Sequence, residues 1–322
     1  MPRRTIIVVF EGFQALDAFG PLEVFAAVER LQPQRGYRVA LASVGGGPRR
    51  TGSGFAVETE DLSRLRPQAA DTVLVAGAEH EPIERAARDA ALIAWLQRAA
   101  KIVRRIGSVC SGAFVLGAAG LLRGKRCATH WAACARLAEM FPDAQVLKDA
   151  IFVNDGPLWT SAGVTTGVDM ALAMVEADLD ARVANDIAAQ AVLYARRPGF
   201  QSQFSPALVA QLQASDPLGT SIAWARSNLE RLNVEALSRR AGLTVRTLHR
   251  RTQALLGVTP AKLIERIRVE HARTLLCSTD LPQKVVASQA GFSGNAQMQR
   301  ALERNLGVDG RAVRLLFRSQ PG

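Results

Sequence analysis

The sequence predicts a two-part chain: an α/β doubly wound parallel sheet, then an all-α domain of tandem helix-turn-helix units. Three observations carry this expectation. Short apolar runs alternate with helical patterns through the first part of the chain. Two stretches near the C-terminus, Glu235–Val258 and Lys284–Val308, repeat one another. The basic surplus sits on the repeat: residues 211–322 hold 17 Lys/Arg against 8 Asp/Glu, whereas residues 1–210 hold 23 against 21. With 322 residues and 48% hydrophobic content, about two domains are expected. The division read from the sequence is residues 1–196, a linker over 197–214, and residues 215–320.

In the first domain the expected strands are Thr5–Phe10, Arg38–Ser43, Thr72–Ala76, Ile102–Val109 and Trp159–Ser161. The expected helices are Pro21–Arg30, Arg85–Ala100, Gly112–Ala119, His130–Met140, Gly167–Ala177 and Ala181–Tyr194. Apolar strands alternating with helices imply a parallel sheet covered on both faces. A Pro/Gln/Ser-rich stretch, Arg197–Pro206, reads as linker. Cys110, Cys127, Cys134 and Cys277 form no CxxC pair and no metal-ligand spacing, so a reduced, cytoplasmic setting is expected, and no metal or cofactor. The apolar start is too short for a secretion signal, and no stretch is long enough to span a membrane.

In the second domain, Ala241-Gly242-Leu243-Thr244 matches Ala290-Gly291-Phe292-Ser293. Downstream, Leu248, Arg250 and Gly257 match Met298, Arg300 and Gly307 with one extra turn residue in the second copy. Each copy reads as a short helix, a glycine turn, a hydroxyl N-cap (Thr244, Ser293) and a second helix closed by glycine. That unit places its second helix in a DNA major groove. Helical spacing puts Leu248, Thr252 and Leu255 inward on the first recognition helix, leaving Arg246, His249, Arg250 and Gln253 outward. On the second, Met298 and Leu302 face in, while Asn295, Gln299 and Arg300 face out. Arg, Asn and Gln suit bidentate hydrogen bonds to guanine or adenine edges. Between the units, Pro260 opens an amphipathic helix, Ala261–Cys277.

Residues 215–318 resemble the AraC/XylS family of transcription regulators. The likeness rests on Val234-Glu235-Ala236-Leu237, Ala241-Gly242-Leu243-Thr244, Gly257-Val258-Thr259-Pro260, Arg268-Val269-Glu270-His271-Ala272-Arg273, Leu275-Leu276, Gly291-Phe292-Ser293 and Gly307-Val308. The resemblance implies base reading by Arg246, His249, Arg250, Asn295, Ala296, Gln299 and Arg300. The chain departs from the family at four places. Aromatic residues are usual where Thr252 and Leu302 stand, and Pro and Tyr where Gly310 and Val313 stand.

In the first domain, Ile106-Gly107-Ser108-Val109-Cys110-Ser111-Gly112 runs from an apolar strand into an apolar helix. A cysteine at such a turn occupies the place of a nucleophile elbow, where a helix N-terminus favours thiolate. Gly112 would let the backbone turn. Leu74-Val75-Ala76-Gly77-Ala78 ends another strand in a glycine turn that offers N–H donors to an anion. From the residues alone, Cys110 reads equally as a nucleophile or as a small buried hydrophobe.

Residues 4–195 resemble the ThiJ/PfpI family of flavodoxin-like domains. The matching residues are Phe10-Glu11-Gly12-Phe13, Leu16-Asp17, Gly20-Pro21-Leu22-Glu23-Val24-Phe25, Gly77, Cys110-Ser111-Gly112-Ala113-Phe114, Ala119-Gly120-Leu121-Leu122-Arg123-Gly124 and Ala128-Thr129-His130-Trp131. The resemblance implies that Asp17 sits beside Cys110 and shares a hydrogen bond with it. Isonitrile hydratases of the family use such an acid–thiol pair. Peptidase-like members carry His after the Cys, where this chain has Ser111, so peptidase activity is not expected. His130 is a second candidate base, or a structural residue.

Together the two resemblances match the GlxA-type regulators. They imply a double-stranded-DNA-binding homodimer that activates transcription through RNA polymerase. Its small-molecule effector, of the amino acid or quaternary amine class, would bind near Cys110, Asp17, Gly77, Ser111 and His130. The alternative is a cysteine-dependent hydratase or amidase with an appended DNA-binding domain. A sensor acting through oxidation of Cys110 is a third reading.

Overall fold

The structure is a computed structural model that describes residues 3–148, 150–193, 196–197, 199, 203, 217–256, 258–306 and 309–317. It divides into two compact units, Met1–Gln203 and Phe204–Gly322. Tyr194, most of the expected linker, and the two glycine caps Gly257 and Gly307 fall outside the described residues.

The first unit is built on β1 (Arg3–Val8), β2 (Tyr37–Ser43), β3 (Gly47–Arg50), β4 (Ala56–Asp61), β5 (Thr72–Val75), β6 (Arg105–Val109), β7 (Arg126–Cys127), β8 (Gln145–Val146), β9 (Phe152–Asp155) and β10 (Leu158–Ser161). Its main sheet has the order β3-β4-β2-β1-β5-β6-β10-β9. Neighbours pair in parallel from β4 to β10, and the edge strands β3 and β9 are antiparallel. The central strands β5 and β6 are buried throughout; β5 reads as an apolar run, whereas β6 buries Arg105 and Ser108 beside Ile106 and Val109.

Helices α1 (Ala15–Leu31), α6 (Thr165–Asp178) and α7 (Ala181–Gln190) cover one face. On the other lie α2 (His80–Arg88), α3 (Ala90–Ala100), α4 (Ala113–Ala118) and, more peripherally, α5 (Cys134–Met140). Each face has its own apolar core. Phe25, Val28, Met170, Met174 and Val175 fill one; Leu92, Trp95, Leu96, Phe114 and Leu116 fill the other. This is the doubly wound arrangement that the alternation implied.

Several boundaries differ from the sequence reading: the first strand is Arg3–Val8, the strand expected from Ile102 starts at Arg105, and the helix expected to Tyr194 ends at Gln190. Three further differences change an element's make-up. The helix expected from Pro21 starts six residues earlier, at Ala15, with Pro21 inside it. The single helix expected over Arg85–Ala100 is two helices. Asp89 separates them and caps the second by accepting from the N–H groups of Ala91 and Leu92. Residues 131–133 form a 3₁₀ turn before α5 rather than its first turn. At the N-terminal end of the sheet, Asp178 accepts a bidentate pair from Arg104 at 2.7 and 2.6 Å and the Tyr37 hydroxyl at 2.6 Å. That buried cluster fastens the end of α6 under β2 and β6.

The second unit comprises α8 (Pro217–Arg226), α9 (Val234–Arg240), α10 (Val245–Leu256), α11 (Pro260–Ser278), α12 (Gln283–Gln289), α13 (Asn295–Leu306) and α14 (Gly310–Phe317). The pairs α9–α10 and α12–α13 are the two helix-turn-helix units. Gly242 and Gly291 turn between their helices at φ 62° and 75°. At Gly291 a side chain is also excluded, because a Cβ would lie 2.2 Å from the Leu229 carbonyl. Ile222, Leu237, Leu248, Leu256, Leu263 and Ile267 share one buried core, which packs the first helix-turn-helix onto α8 and α11.

Candidate functional site

The first candidate site lies at the C-terminal ends of β5 and β6, beside the point where the strand order reverses between β1 and β5. Open α/β sheets bind their ligands there. Cys110 follows β6 directly and takes φ 56°, a left-handed conformation that costs an ordinary residue about 1–2 kcal/mol. The surrounding structure holds it in place. Thr129 Oγ1 donates to the Cys110 carbonyl at 2.9 Å. Gly163 leaves room for the sulfur, since a Cβ there would lie 2.7 Å from Sγ.

Asp17, in the first turn of α1, is buried with 1% exposure. One carboxylate oxygen accepts from Val164 N–H at 2.8 Å and the other from Gly77 N–H at 3.2 Å. It also shares a hydrogen bond with the Cys110 thiol. Burial raises the Asp17 pKa to about 6, although those hydrogen bonds oppose the rise. Burial and the neighbouring Asp17 charge push Cys110 up to about 12. The resting site at neutral pH is therefore a carboxylate accepting from a neutral thiol.

This geometry corrects three expectations. The turn at Cys110 does not favour thiolate, because desolvation and the Asp17 charge outweigh the Ser111 hydrogen bonds that would lower its pKa. The Gly77 turn has no spare donors for an anion. Its N–H is given to Asp17, and Ala78 N–H is given to Ser111 Oγ at 2.8 Å. Gly112 is not the turning residue, for its φ is an ordinary −53°. A Cβ there would instead lie 2.4 Å from the Val75 carbonyl. Ser111 is a structural clasp, donating back to the Ala78 carbonyl at 2.7 Å. His130 is half-buried beside Trp131, with ring centroids 5.3 Å apart, and burial lowers its pKa. Its neighbour Thr129, rather than His130, is the residue bonded to the Cys110 turn. Val164 and Gly163 did not stand out in the sequence; the only signal was a small-residue run, Ser161-Ala162-Gly163, ending an apolar strand.

The second candidate site is the pair of recognition helices. Arg246, His249, Arg250 and Gln253 are exposed on α10, with Leu248 and Thr252 fully buried behind them. Thr244 caps α10 by accepting from Thr247 N–H at 3.2 Å. Thr252, in place of the usual aromatic, is satisfied by donating to the Leu248 carbonyl at 3.0 Å. Leu255 is 49% exposed and Leu256 takes the inward position expected of it, because the helical face drifts by about one residue over two turns.

On α13, Asn295, Ala296 and Arg300 are exposed, with Met298 and Leu302 buried. Ser293 does not cap α13. Its N–H and hydroxyl both donate to Gln297 Oε1, at 2.8 and 3.0 Å, because the extra residue Gly294 intervenes before the helix. Gln299 is only half-exposed, and its amide is engaged within the unit. Among the described residues, no group of three or more His, Cys, Asp or Glu could hold a metal ion. No helix among them is long and apolar enough to cross a membrane.

Residues 3–177 match the DJ-1/PfpI family, and residues 237–314 match a helix-turn-helix domain. The chain belongs to the DJ-1/PfpI family and joins that domain to an AraC-type helix-turn-helix. It is 30% identical to the HTH-type transcriptional regulator GlxA of Rhizobium meliloti, over 94% of this chain and 92% of that protein. The isonitrile hydratase of Pseudomonas putida is 30% identical over 61% of this chain and 80% of its own length. A ThiJ/PfpI family protein from Pseudomonas syringae has the same fold, with TM-score 0.55 and 22% identity, covering 76% of this chain and 92% of that one.

Proposed function

We propose that this protein is a sequence-specific, DNA-binding transcription regulator whose first unit senses a small metabolite. The observation that carries the reading is the tandem pair of helix-turn-helix units, each with polar tips exposed on its second helix. Arg246, His249 and Arg250 on α10, and Asn295, Ala296 and Arg300 on α13, are the proposed base-facing residues. The surplus of positive charge on this part of the chain supplies phosphate contacts. The effector site is placed around Asp17 and Cys110, and dimerisation is assigned to the first unit. A dimer engages two half-sites at once and gains effective concentration. Ligand binding regulates only if it favours one state over another.

An enzyme reading has the Asp17–Cys110 pair in its favour, since an acid and a thiol share a hydrogen bond. Against it stands the neutral thiol: a group with a pKa near 12 is a poor nucleophile until a base removes its proton. Selection of bound fragments from a randomised duplex pool, with and without candidate amino acids and quaternary amines, tests the regulator reading. A preferred sequence is expected. Arg250→Ala should weaken binding to it by about 1–3 kcal/mol. Unchanged affinity would remove Arg250 from the reading set.

A further inference from the structure

We infer that Gln299 is a positioning residue, not a base reader, and that it sets Asn295 to read guanine. The inference rests on the DNA-binding function proposed above. Gln299 Oε1 accepts from the backbone N–H of Gly310 at 2.7 Å. Its Nε2 donates to Gln283 Oε1 at 2.8 Å and to Asn295 Oδ1 at 3.2 Å. Both ends of the amide are thus used inside the second helix-turn-helix unit.

The polarity of this relay follows from one group. A backbone N–H can only donate. Gln299 must therefore turn its oxygen to Gly310, and its NH₂ toward Gln283 and Asn295. An amide NH₂ cannot accept, so Asn295 must offer its oxygen to Gln299. The Asn295 NH₂, on an exposed residue at the start of α13, is left facing away from the unit. Two outward donors fit O6 and N7 of guanine, which are both acceptors in the major groove. They match adenine and thymine less well and oppose the donor of cytosine.

The relay depends on residue 310 having an N–H. Gly310 is the first residue of α14, a position whose backbone tolerates proline, but the ring there removes the donor and its Cδ displaces Gln299 Oε1, which lies 2.7 Å from the nitrogen. Gly310→Pro therefore deletes the group that fixes the polarity. Gln299→Glu goes further. It keeps an acceptor for Gly310 but presents oxygen to Asn295, which must then turn its NH₂ inward and its oxygen outward.

The test is selection from a randomised duplex pool with the full chain, in wild type, Gly310→Pro, Gln299→Glu, Asn295→Ala and the Asn295→Ala/Gln299→Glu pair. Thermal unfolding of each protein checks that it is folded. The wild type should select guanine at the one base pair whose preference vanishes in Asn295→Ala. In Gly310→Pro the guanine preference there should fall about fivefold or more, with other positions unchanged. In Gln299→Glu it should be replaced by adenine or cytosine, and this change should be absent in the double variant. Retained guanine preference in Gln299→Glu overturns the proposal. A change that persists without Asn295 makes Gln299 itself the reader. Uniform loss of affinity at all positions makes the relay merely structural. If the wild type selects no sequence at all, the DNA-binding reading itself fails.

Discussion

Asp17 illustrates how one residue's setting becomes a property of the protein. Its carboxyl releases its proton near pH 3.8 when unfolded and near 6 when folded, because burial penalises the charge. Between those values the folded state holds the extra proton. Asp17's contribution to stability is therefore greatest below pH 3.8, falls as pH rises through 6, and then levels off. The drop amounts to about 3 kcal/mol. Asn at this position cannot ionise, so the stability of Asp17→Asn relative to wild type should rise by about that amount between pH 4 and 7. Urea unfolding in a Trp224→Phe background reports on the first unit, since Trp95, Trp131 and Trp159 all lie there. A flat difference would mean that Asp17 is not desolvated. At Cys110, alkylation by iodoacetamide should keep accelerating well above pH 9, as the thiol ionises only near 12. A rate that plateaus near neutral pH would restore the thiolate reading.

At the scale of elements, the second recognition helix depends on one carboxylate. Glu265 on α11 accepts from Lys262 at 2.7 Å, from Arg304 at 2.6 Å and from Asn305 at 2.9 Å, the last two on α13. Burial would raise its pKa, but these partners outweigh burial and hold it at about 2. Its contribution is present above pH 4.5 and lost as pH falls through 2. Glu265→Gln should cost the second unit about 2 kcal/mol at pH 7, after allowance for its partial exposure, and about 0.4 kcal/mol or less at pH 2, where the folded carboxyl is half protonated. Trp224, packed against the core of that unit, reports its unfolding. Equal losses at both pH values would point to packing rather than charge. The rigid seating of α13 on α11 is what lets Asn295 and Arg300 act as a fixed set.

Over the whole molecule, the charge distribution has a measurable consequence. Binding of a random duplex should weaken linearly in log salt between about 50 and 200 mM as counterions compete for phosphate. Insensitivity to salt would remove the nucleic-acid assignment altogether. The two units also differ in how much of each was legible beforehand. The helix-turn-helix repeat was readable because its signals are local: glycine turns, a threonine cap and apolar residues at helical spacing lie within about two dozen residues. The sheet was readable as alternation, but β3, β4 and β7 to β9 were not, being short or lying at edges where no continuous apolar run is needed.

Sequence alone therefore determined the class of each unit, the identity of the cysteine turn and most of the outward faces of α10 and α13, Leu255 and Gln299 excepted. Tertiary structure decided the state of the groups on them. Asp17 and Val164 are 147 positions apart, and Gln299 and Gly310 are 11 apart across a turn. Protonation and amide orientation depend on which donors, acceptors and charges surround a side chain once water is excluded. Those neighbours are assembled only by folding, so spacing along the chain carries no record of them.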